Sequence, residues 1–409
     1  MKCRHCGADV SHILVDLGTA PPSNAYLSKI ALKRPEKYFP LKVLVCEICW
    51  LVQAEAYSRA AELFNEEYAY FSSISTEWLS HAKKYVDQMI ERFSLGESSL
   101  IGEVAANDGY LLQYVNDKGI SCFGIEPTAS TATVARQKGL EIIQEFLTLS
   151  LAKDLRSSCR TVDLLVANNV LAHVPEINDF TQSCQLLLKA NGVLTCEFPH
   201  LLNLVSQHQF DTIYHEHFSY LSFGTVVDIF VKNGLQVFDV EKLGTHGGSL
   251  RVFAQRSDTG SHLIEPSVEK LLGDETRAGI HSLDFYRGLQ QHAEKVKDDF
   301  LNFLLEKKRE GKIVVGYGAA AKANTLLNFA GVRLDLIRYI VDRNPHKQGK
   351  FMPGSRIPIV SEDHLKIDMP DFVVIFPWNI RDEVTKQLSY LRECQTTFVV
   401  AVPNLELIK

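Results

Sequence analysis

The 409-residue chain is predicted to be an α/β protein with two Rossmann-like domains behind a small cysteine-bearing module. Three observations carry this prediction: two CxxC pairs, a buried strand that runs into a tight turn and a helix near residue 100, and a second, glycine-rich turn of that kind near residue 316. Strand, tight turn and helix in succession build open, largely parallel sheets. We therefore expect three domains, at residues 1–68, 69–256 and 257–409.

Composition and charge limit the class of protein. Apolar residues make up 46% and charged residues 22% of the chain, as in ordinary soluble globular proteins. The net charge of −6 gives no general affinity for nucleic acid or anionic membranes, and no apolar run is long enough for a membrane span. Nine cysteines without a secretion signal predict reduced thiols and a cytoplasmic location. A monomer is compatible with these features.

The two CxxC pairs define the first domain. Cys3 and Cys6 form one pair, and Cys46 and Cys49 form the other. Each spacing lets two thiolates converge on one ion, and two such pairs complete a tetrahedral site. Four thiolates leave zinc no open coordination position, so we expect a structural zinc ion. His5, inside the first pair, is not expected to be a ligand.

The second domain opens with a predicted half-site for an adenosine-containing cofactor. After a helix predicted at 76–93, residues 99–105 are predicted to form a buried strand, 107–109 a tight turn and 110–114 the start of a helix. Such a turn lets a ligand approach the backbone and the helix N-terminus. Glu126 ends the next strand, where a carboxylate can accept both hydroxyls of a ribose.

The remaining strands of this domain are predicted at 141–143, 162–167, 192–198, 236–243 and 250–256. The last two are expected to be antiparallel, because the glycine-rich segment 244–248 joins them. A parallel sheet closed by an antiparallel pair is typical of class I methyltransferases. Ligands of open α/β sheets bind beyond the carboxyl ends of the strands, where Asn107, Glu126 and Asn169 are expected to gather.

One short segment concentrates ionisable side chains, namely Tyr214, His215, Glu216 and His217. An apolar core does not tolerate these groups without partners. A metal site is disfavoured, because adjacent side chains of a strand point apart and no third ligand is evident. A hydrogen-bonded structural corner and a general base with its orienting acid remain as equal alternatives.

The third domain contains a second glycine-rich turn. A long helical stretch is predicted at 266–310, and the following strand runs into a G-x-G-x-x-A pattern from Gly316 to Ala321. Asp342 ends the next strand, and later strands are predicted at 372–376 and 398–401. The spacing matches a dinucleotide-binding fingerprint. It therefore predicts one possible function for the chain, that of a NAD(P)-dependent oxidoreductase. Lys322, in the first turn of the helix, could bind an anionic substrate as well as a cofactor.

Taken together, these motifs resemble the three-domain sugar C-methyltransferases that act on nucleotide-linked deoxysugars. The resemblance rests on the four cysteines and on the segments 103–109, 168–175, 214–220, 246–251 and 316–322, which follow the family's order. The blocks YHEHF and HGGSLR are its specific parts. The chain departs from the family at Ala105, where glycine is usual, and the added methyl group narrows the approach to the methionine portion of the cofactor.

The resemblance implies methyl transfer from S-adenosylmethionine to a carbon beside the ketone of a nucleotide-diphosphate deoxysugar. It implies that His217 is the base, with Glu216 and Tyr214 beside it, while His215 and His246 stay as alternatives. A third class, a non-catalytic zinc-bearing binding module, is disfavoured by the ionisable cluster.

The expected cofactor-binding residues are Glu103, Asn107, Asp108, Gly109, Glu126, Pro127, Asn168 and Asn169. The expected substrate-binding residues are Tyr70, Phe71, His246, Arg251, Lys322 and Asn324.

Overall fold

Three β-sheets organise the chain. The computed structural model describes residues 1–57, 60–63 and 71–408. In chain order the sheets contain four, seven and six strands. Helices alternate with the strands of the second and third sheets. This architecture confirms the predicted α/β class with two Rossmann-like sheets, while the exact domain limits stay a prediction.

The N-terminal sheet is antiparallel and has the strand order β1-β2-β3-β9. Its strands are β1 (His12–Ala20), β2 (Phe39–Val45), β3 (Val52–Ala54) and β9 (Ser219–Tyr220). A short helix α1 (Ala60–Leu63) follows β3. The fourth strand comes from far along the chain, directly after the ionisable segment. The cysteine-bearing module is therefore hydrogen-bonded to the segment that carries Tyr214 and His217.

The central sheet has the order β10-β11-β8-β7-β4-β5-β6. Its strands are β4 (Leu100–Val104), β5 (Ser121–Ile125), β6 (Ile142–Ile143), β7 (Val162–Asn168), β8 (Leu188–Pro199), β10 (Leu235–Leu243) and β11 (Ser249–Arg256). Five strands pair in parallel, and β11 pairs antiparallel with both β8 and β10. The sheet is thus the predicted one, parallel and closed by an antiparallel pair.

Helices of the central region are α2 (Thr76–Arg92), α3 (Leu112–Asp117), α4 (Ala129–Gln137), α5 (Leu149–Ser157), α6 (Ile177–Leu187), α7 (Leu201–Ser206) and α8 (Phe223–Lys232). The side chain of Ser75 caps α2 by accepting a hydrogen bond from the Trp78 N–H at 3.2 Å. Helix α3 begins two residues later than predicted, because the turn after β4 has positive φ at Ala105, Asn107 and Gly109.

The C-terminal sheet has the order β14-β13-β12-β15-β16-β17, and only the β16–β17 pair is antiparallel. Its strands are β12 (Val314–Tyr317), β13 (Ile340–Val341), β14 (Ile359–Val360), β15 (Phe372–Ile375), β16 (Thr397–Val400) and β17 (Glu406–Ile408). Its helices are α11 (Ala321–Phe329), α12 (Asp363–Asp368) and α13 (Arg381–Gln387).

The helical stretch predicted at 266–310 is interrupted. The structure has two helices, α9 (Pro266–Ala278) and α10 (Leu289–Arg309), with a short 3-10 turn between them. Gly279 ends α9 at φ +83° and Gly288 precedes α10 at φ +90°. Both glycines adopt the left-handed conformation that stops a helix, and the apolar periodicity of the flanking segments hides this break.

Shared apolar cores join the three sheets. One core contains Val43 of β2, Phe300 of α10 and Val314 of β12. A second core contains Cys46 together with Phe198 of β8. The N-terminal module is therefore packed against both other regions, and these contacts fix its position relative to them. No helix in the described part of the chain has the length and apolar character needed to cross a membrane.

Candidate active site

A cavity of about 490 Å³ lies beyond the carboxyl ends of the central strands. All three regions line it: Asn24 comes from the N-terminal module, Glu126 and His217 from the central region, and Lys322 and Lys347 from the C-terminal region. The edge of an open α/β sheet is where such proteins bind ligands. The cavity is therefore the candidate active site.

The turn after β4 forms one end of the cavity. Ala105 and Asn107 line it, and both have left-handed backbone, with φ of +57° and +51°. This conformation costs a non-glycine residue about 1 kcal/mol and explains why glycine suits position 105. Gly109 lies behind the lining, where a Cβ atom would stand 2.3 Å from Leu140. Its role is close packing rather than direct contact with the cavity.

Glu126 joins two loops at this end of the cavity. Its carboxylate accepts hydrogen bonds from the N–H groups of Asn107 and Thr128, both at 2.9 Å. Burial raises the pKa of the Glu126 carboxyl, and these two N–H groups oppose that shift. Each carboxylate oxygen keeps a further lone pair, so Glu126 can also accept from hydroxyl groups of a ligand.

Other residues of the predicted cofactor site divide into two groups. Pro127, Asn168 and Asn169 line the cavity with Glu126. Glu103 and Asp108 do not. Glu103 is buried in β4, and burial raises its pKa well above the usual value. The Asp108 carboxylate accepts from the Ser73 N–H and thereby holds the segment before α2.

His217 presents a neutral ring nitrogen to the cavity. Its Nδ1–H donates to the Thr212 carbonyl at 3.1 Å, which leaves Nε2 as the acceptor. The Tyr214 hydroxyl lies 2.8 Å from that Nε2. Burial, together with the nearby His173, lowers the pKa of His217 well below its usual value. The imidazole is thus held in the tautomer and charge state that can take a proton.

His173 is a cavity residue that the sequence did not single out by itself. Its ring centroid lies 4.7 Å from that of His217, and its Nδ1–H donates to the Glu216 carbonyl at 2.7 Å. Burial lowers the pKa of His173 as well. The signal was available, since residue 173 follows β7 in the segment 168–175, where strand ends meet the cavity.

His215 points elsewhere. Its Nε2 lies 3.2 Å from the carbonyl oxygens of Phe39 and Pro40, so it ties the segment to β2. His215 is not among the cavity-lining residues, whereas His217 and His246 are. Residues 215 and 216 form a turn, so the two histidine side chains are not arranged as they would be in a strand.

Cationic groups form the opposite end of the cavity. The Lys322 ammonium donates to the Asn379 side-chain oxygen at 2.6 Å and lies 4.0 Å from the centre of the Trp378 ring. Burial lowers the pKa of Lys322 to about 8, and the Asp211 carboxylate opposes that shift. Lys347, which the sequence analysis missed, donates to the Ala319 carbonyl at 2.8 Å. Both lysines stand beside the N-terminus of α11, where anions bind favourably.

Similarity to known proteins decides the family. Matching family models describe a zinc binding domain over residues 3–64, a methyltransferase domain over 103–194 and a C-methyltransferase C-terminal domain over 244–403. The chain is 32% identical over 407 residues to the C-methyltransferase NovU of Streptomyces niveus, covering 100% of this chain and 96% of that protein. The chain belongs to the C-methyltransferase family.

Solved structures align with less than half of this C-methyltransferase. Magnesium protoporphyrin IX methyltransferase from Synechocystis PCC 6803, with bound SAH, covers 45% of the chain and 85% of its own at a TM-score of 0.36 and 16% identity. The PH0226 protein from Pyrococcus horikoshii OT3 covers 46% of the chain and 95% of its own at a TM-score of 0.36 and 15% identity.

Four cysteines of the C-methyltransferase form its zinc site. The Sγ atoms of Cys3, Cys6, Cys46 and Cys49 all lie within 4.8 Å of one another. Two of these distances are 3.5 and 3.6 Å, close to the roughly 3.8 Å expected for thiolates around zinc. The Nδ1 atom of His5 lies 2.9 Å from the Asn178 side chain, so His5 serves the packing of the module. The zinc is structural, as predicted.

The glycine-rich turn of the C-methyltransferase does not support the oxidoreductase alternative. A Cβ atom on Gly316 would stand 2.6 Å from Phe376, and one on Gly318 would stand 2.6 Å from Pro377. Both glycines therefore serve internal packing. The Asp342 carboxylate, which a dinucleotide would need, accepts from the Ala319 N–H at 2.8 Å and lies 3.5 Å from Lys347.

Three of the predicted substrate-binding residues do not line the cavity, and a fourth lies outside the described residues. Phe71 stacks on His346 at 4.6 Å, and Tyr70 lies outside the described residues. Arg251 is buried, and its Nε donates to the Glu197 carboxylate at 2.7 Å. This hydrogen bond links β11 to β8. The Asn324 amide donates to the Pro21 carbonyl at 3.2 Å. His246 and Lys322 are the predicted substrate residues that do line the cavity.

His246 lines the cavity next to Trp78. Its ring centroid lies 5.4 Å from that of Trp78 on α2, and its backbone has φ +55° in the loop between β10 and β11. Burial, with the charge of Lys322, lowers the pKa of His246 to about 4. A neutral His246 can contact a substrate without adding charge.

Proposed function

We propose that this C-methyltransferase methylates the carbon next to the ketone of a nucleotide-diphosphate keto-deoxysugar. The observation that supports the proposal is the neutral Nε2 of His217 in a cavity that is also lined by Glu126, Lys322 and Lys347. A carbon nucleophile of this kind requires a base beside the ketone. Its methyl donor is S-adenosylmethionine, which supplies a methyl group on a positively charged sulfonium.

The cofactor end of the proposed site is the turn around Asn107 together with Glu126. Glu126 is placed to accept the ribose hydroxyls, and Asn168 and Asn169 line the adjoining wall. The left-handed turn at Ala105 brings backbone close to the methionine portion. The central region thus binds the cofactor in this proposal.

The proton-transfer step uses His217. Its Nε2 takes the proton from the substrate carbon, and the electron pair shifts to the ketone oxygen. The enolate carbon then bonds the methyl carbon and the ketone re-forms, as the methyl–sulfur bond breaks and leaves a neutral thioether. The Tyr214 hydroxyl, freed from Nε2 when the substrate enters, is placed to donate to the enolate oxygen. His217 then returns its proton to solvent. Because His217 is neutral at cytoplasmic pH, no prior deprotonation is needed.

The C-terminal region binds the nucleotide diphosphate in this proposal. Lys322 and Lys347 carry the positive charge, and the first N–H groups of α11 have no side-chain cap. A diphosphate can accept from such N–H groups while both ammonium groups neutralise its charge. The exposed thiols Cys159 and Cys394 and the zinc thiolates suit a reducing compartment, and we place the enzyme in the cytoplasm.

The test compares cofactors and then measures transfer. S-adenosylmethionine, and not NAD(H), is expected to raise the melting temperature of the purified protein. Glu126→Ala should weaken S-adenosylmethionine binding by roughly 1.5–3 kcal/mol, because it removes a charge-assisted hydrogen bond. Methyl-labelled cofactor should label TDP- or UDP-4-keto-6-deoxyglucose at carbon. Stabilisation by NAD(H) alone, or no carbon labelling of any keto sugar, would reject the proposal.

A further inference from the structure

The carboxylate of Glu216 is held asymmetrically at the wall of the cavity. Its Oε1 accepts three hydrogen bonds, from the Ser23 hydroxyl at 2.8 Å and from the backbone and side-chain nitrogens of Asn24 at 3.1 Å each. Its Oε2 has no donor among the described residues, although Glu216 is only 1% exposed. Glu216 lines the cavity, so a ligand or water must supply the donor for Oε2.

The donors come from a segment that the C-terminal region anchors by hydrogen bonds. The Tyr26 hydroxyl donates to the Ala319 carbonyl at 2.6 Å, and Leu27 and Phe351 exchange two backbone hydrogen bonds at 2.9 Å. The Asn324 amide holds the Pro21 carbonyl at the start of the segment. The segment 21–27 thus links the zinc-bearing module to the C-terminal region. It holds Ser23 and Asn24 within hydrogen-bond distance of Glu216.

This arrangement is costly unless a ligand uses it. A buried carboxylate oxygen without a donor is destabilising, so a ligand that displaces water from this wall must supply the donor itself. Oε1, by contrast, has three donors, so the carboxylate cannot rotate to exchange its oxygens without breaking them. The three donors therefore hold Oε1, and they leave Oε2 as the acceptor atom of a residue that lines the cavity together with His217.

We propose that Ser23 and Asn24 are positioning residues that orient Glu216, so that its Oε2 accepts a hydrogen bond from an O–H or N–H group on the substrate's sugar ring. This inference rests on the proposed function. It assigns part of the substrate specificity to the zinc-bearing module: the enzyme selects a sugar with a donor group at the carbon facing Glu216. A carboxylate oxygen rejects an analogue that lacks this donor, because the oxygen is then left buried and unpaired.

The test compares substrates that differ by one donor. TDP- and UDP-4-keto-6-deoxyglucose are assayed beside their 2-deoxy and 3-deoxy analogues. The wild-type enzyme should prefer the parent sugar over one of the two analogues by roughly 10- to 100-fold in kcat/KM. In Ser23→Ala/Asn24→Ala this preference should fall to within about threefold, with S-adenosylmethionine affinity and melting temperature near the wild-type values.

Glu216→Gln supplies a second variant that keeps the segment 21–27 in place. The glutamine carbonyl can still accept from Ser23 and Asn24, which puts its NH₂ group where Oε2 stood. A donor then meets a donor, so the preference for the parent sugar should disappear or reverse. Ser28→Ala is the matched control, because the Ser28 side chain is exposed and its hydroxyl accepts from the Ala31 N–H at 3.1 Å rather than contacting Glu216 among the described residues.

Two results would overturn the inference. One is a wild-type enzyme that turns over the parent sugar and both analogues equally well. The other is a Ser23→Ala/Asn24→Ala or Glu216→Gln variant that loses the same factor with every sugar, because a merely structural role lowers all rates together. In both cases the parent sugar is still methylated by the wild-type enzyme. Failure of the proposed function is distinct, since no keto sugar would then be methylated at all.

Discussion

His217 and His215 show what a single residue position can and cannot reveal. The sequence left a structural corner and a catalytic base as equal alternatives for the segment 214–217. The structure contains both features: His215 bonds the carbonyls of the first two residues of β2, and His217 lines the cavity. The direction of each side chain depends on a turn at residues 215–216, which hydrophobic periodicity does not encode. The catalytic role of His217 stays a prediction.

Ala105 is a second residue whose structural context could not be predicted from the sequence. Its difference from the family pattern was visible in the sequence, but the reason for the glycine preference was not. The positive φ of +57° supplies that reason. Small size at this position also keeps the cofactor end of the cavity open.

Lys322 leads to a prediction of pH dependence. Its folded pKa of about 8 lies below its ordinary value, so the ammonium loses its charge as the pH rises through 8. The KM for the nucleotide sugar should therefore rise between pH 8 and 9, by up to about tenfold. Lys322→Arg keeps its charge over this range and should show a flat KM. A wild-type KM that does not change between pH 7 and 9.5 would remove Lys322 from substrate binding.

The strands and helices lie where the sequence predicted them in the parts of the chain where apolar runs are bounded by turns. The strands β4, β5, β7 and β8 lie where buried runs predicted them, because a strand buried on both faces has a continuous apolar sequence. The break between α9 and α10 was missed, since both helices continue one amphipathic pattern. A glycine at each end was the available signal, at positions 279 and 288.

Glu275 provides an element-scale prediction for stability. Its carboxylate on α9 accepts from the N–H groups of Phe223 and Gly224, which begin α8, and lies 2.6 Å from His200. Glu275→Ala should lower the free energy of unfolding by about 3 kcal/mol or more, because it leaves these buried groups without a partner. Urea denaturation measures this loss.

The matched control for this substitution is Glu269→Ala on the same helix. Glu269 is exposed in the first turn of α9, so its loss should cost no more than about 0.5 kcal/mol. Equal effects of the two substitutions would show that Glu275 does not anchor α9 to α8.

At the scale of the whole molecule, the sequence predicted the three regions but not the space between them. The motifs around Asn107 and Lys322 were each visible, yet their meeting in one cavity depends on domain packing. Asn24 and Lys347 were missed for the same reason, because each lies far along the chain from the other cavity residues. The sheet formed by β3 and β9 likewise joins segments about 170 residues apart, which no local pattern reports.

Zinc removal tests this organisation. The zinc site supports the sheet that continues into β9 and the segment that holds Glu216, although the zinc ligands do not line the cavity. Cys46→Ser should therefore lose zinc, lower the melting temperature and abolish methyl transfer, while S-adenosylmethionine binding falls by only a few-fold. Elemental analysis and calorimetry measure the first and last of these effects.

Cys394→Ser is the control for the zinc experiment, because Cys394 is exposed and lies outside the four-cysteine cluster. It should retain zinc and activity. A Cys46→Ser enzyme with no bound zinc and unchanged methyl transfer would show that the N-terminal module is independent of the active site.

The central claim is that His217 removes the proton from the carbon to be methylated. Its most direct measurement is deuterium incorporation beside the ketone of TDP- or UDP-4-keto-6-deoxyglucose in heavy water. The wild-type enzyme should incorporate deuterium, and His217→Asn should bind S-adenosylmethionine normally yet slow both exchange and methyl transfer by about a hundredfold or more. A His217→Asn enzyme that exchanges this proton at the wild-type rate would contradict the account and move the role to another cavity residue such as His246.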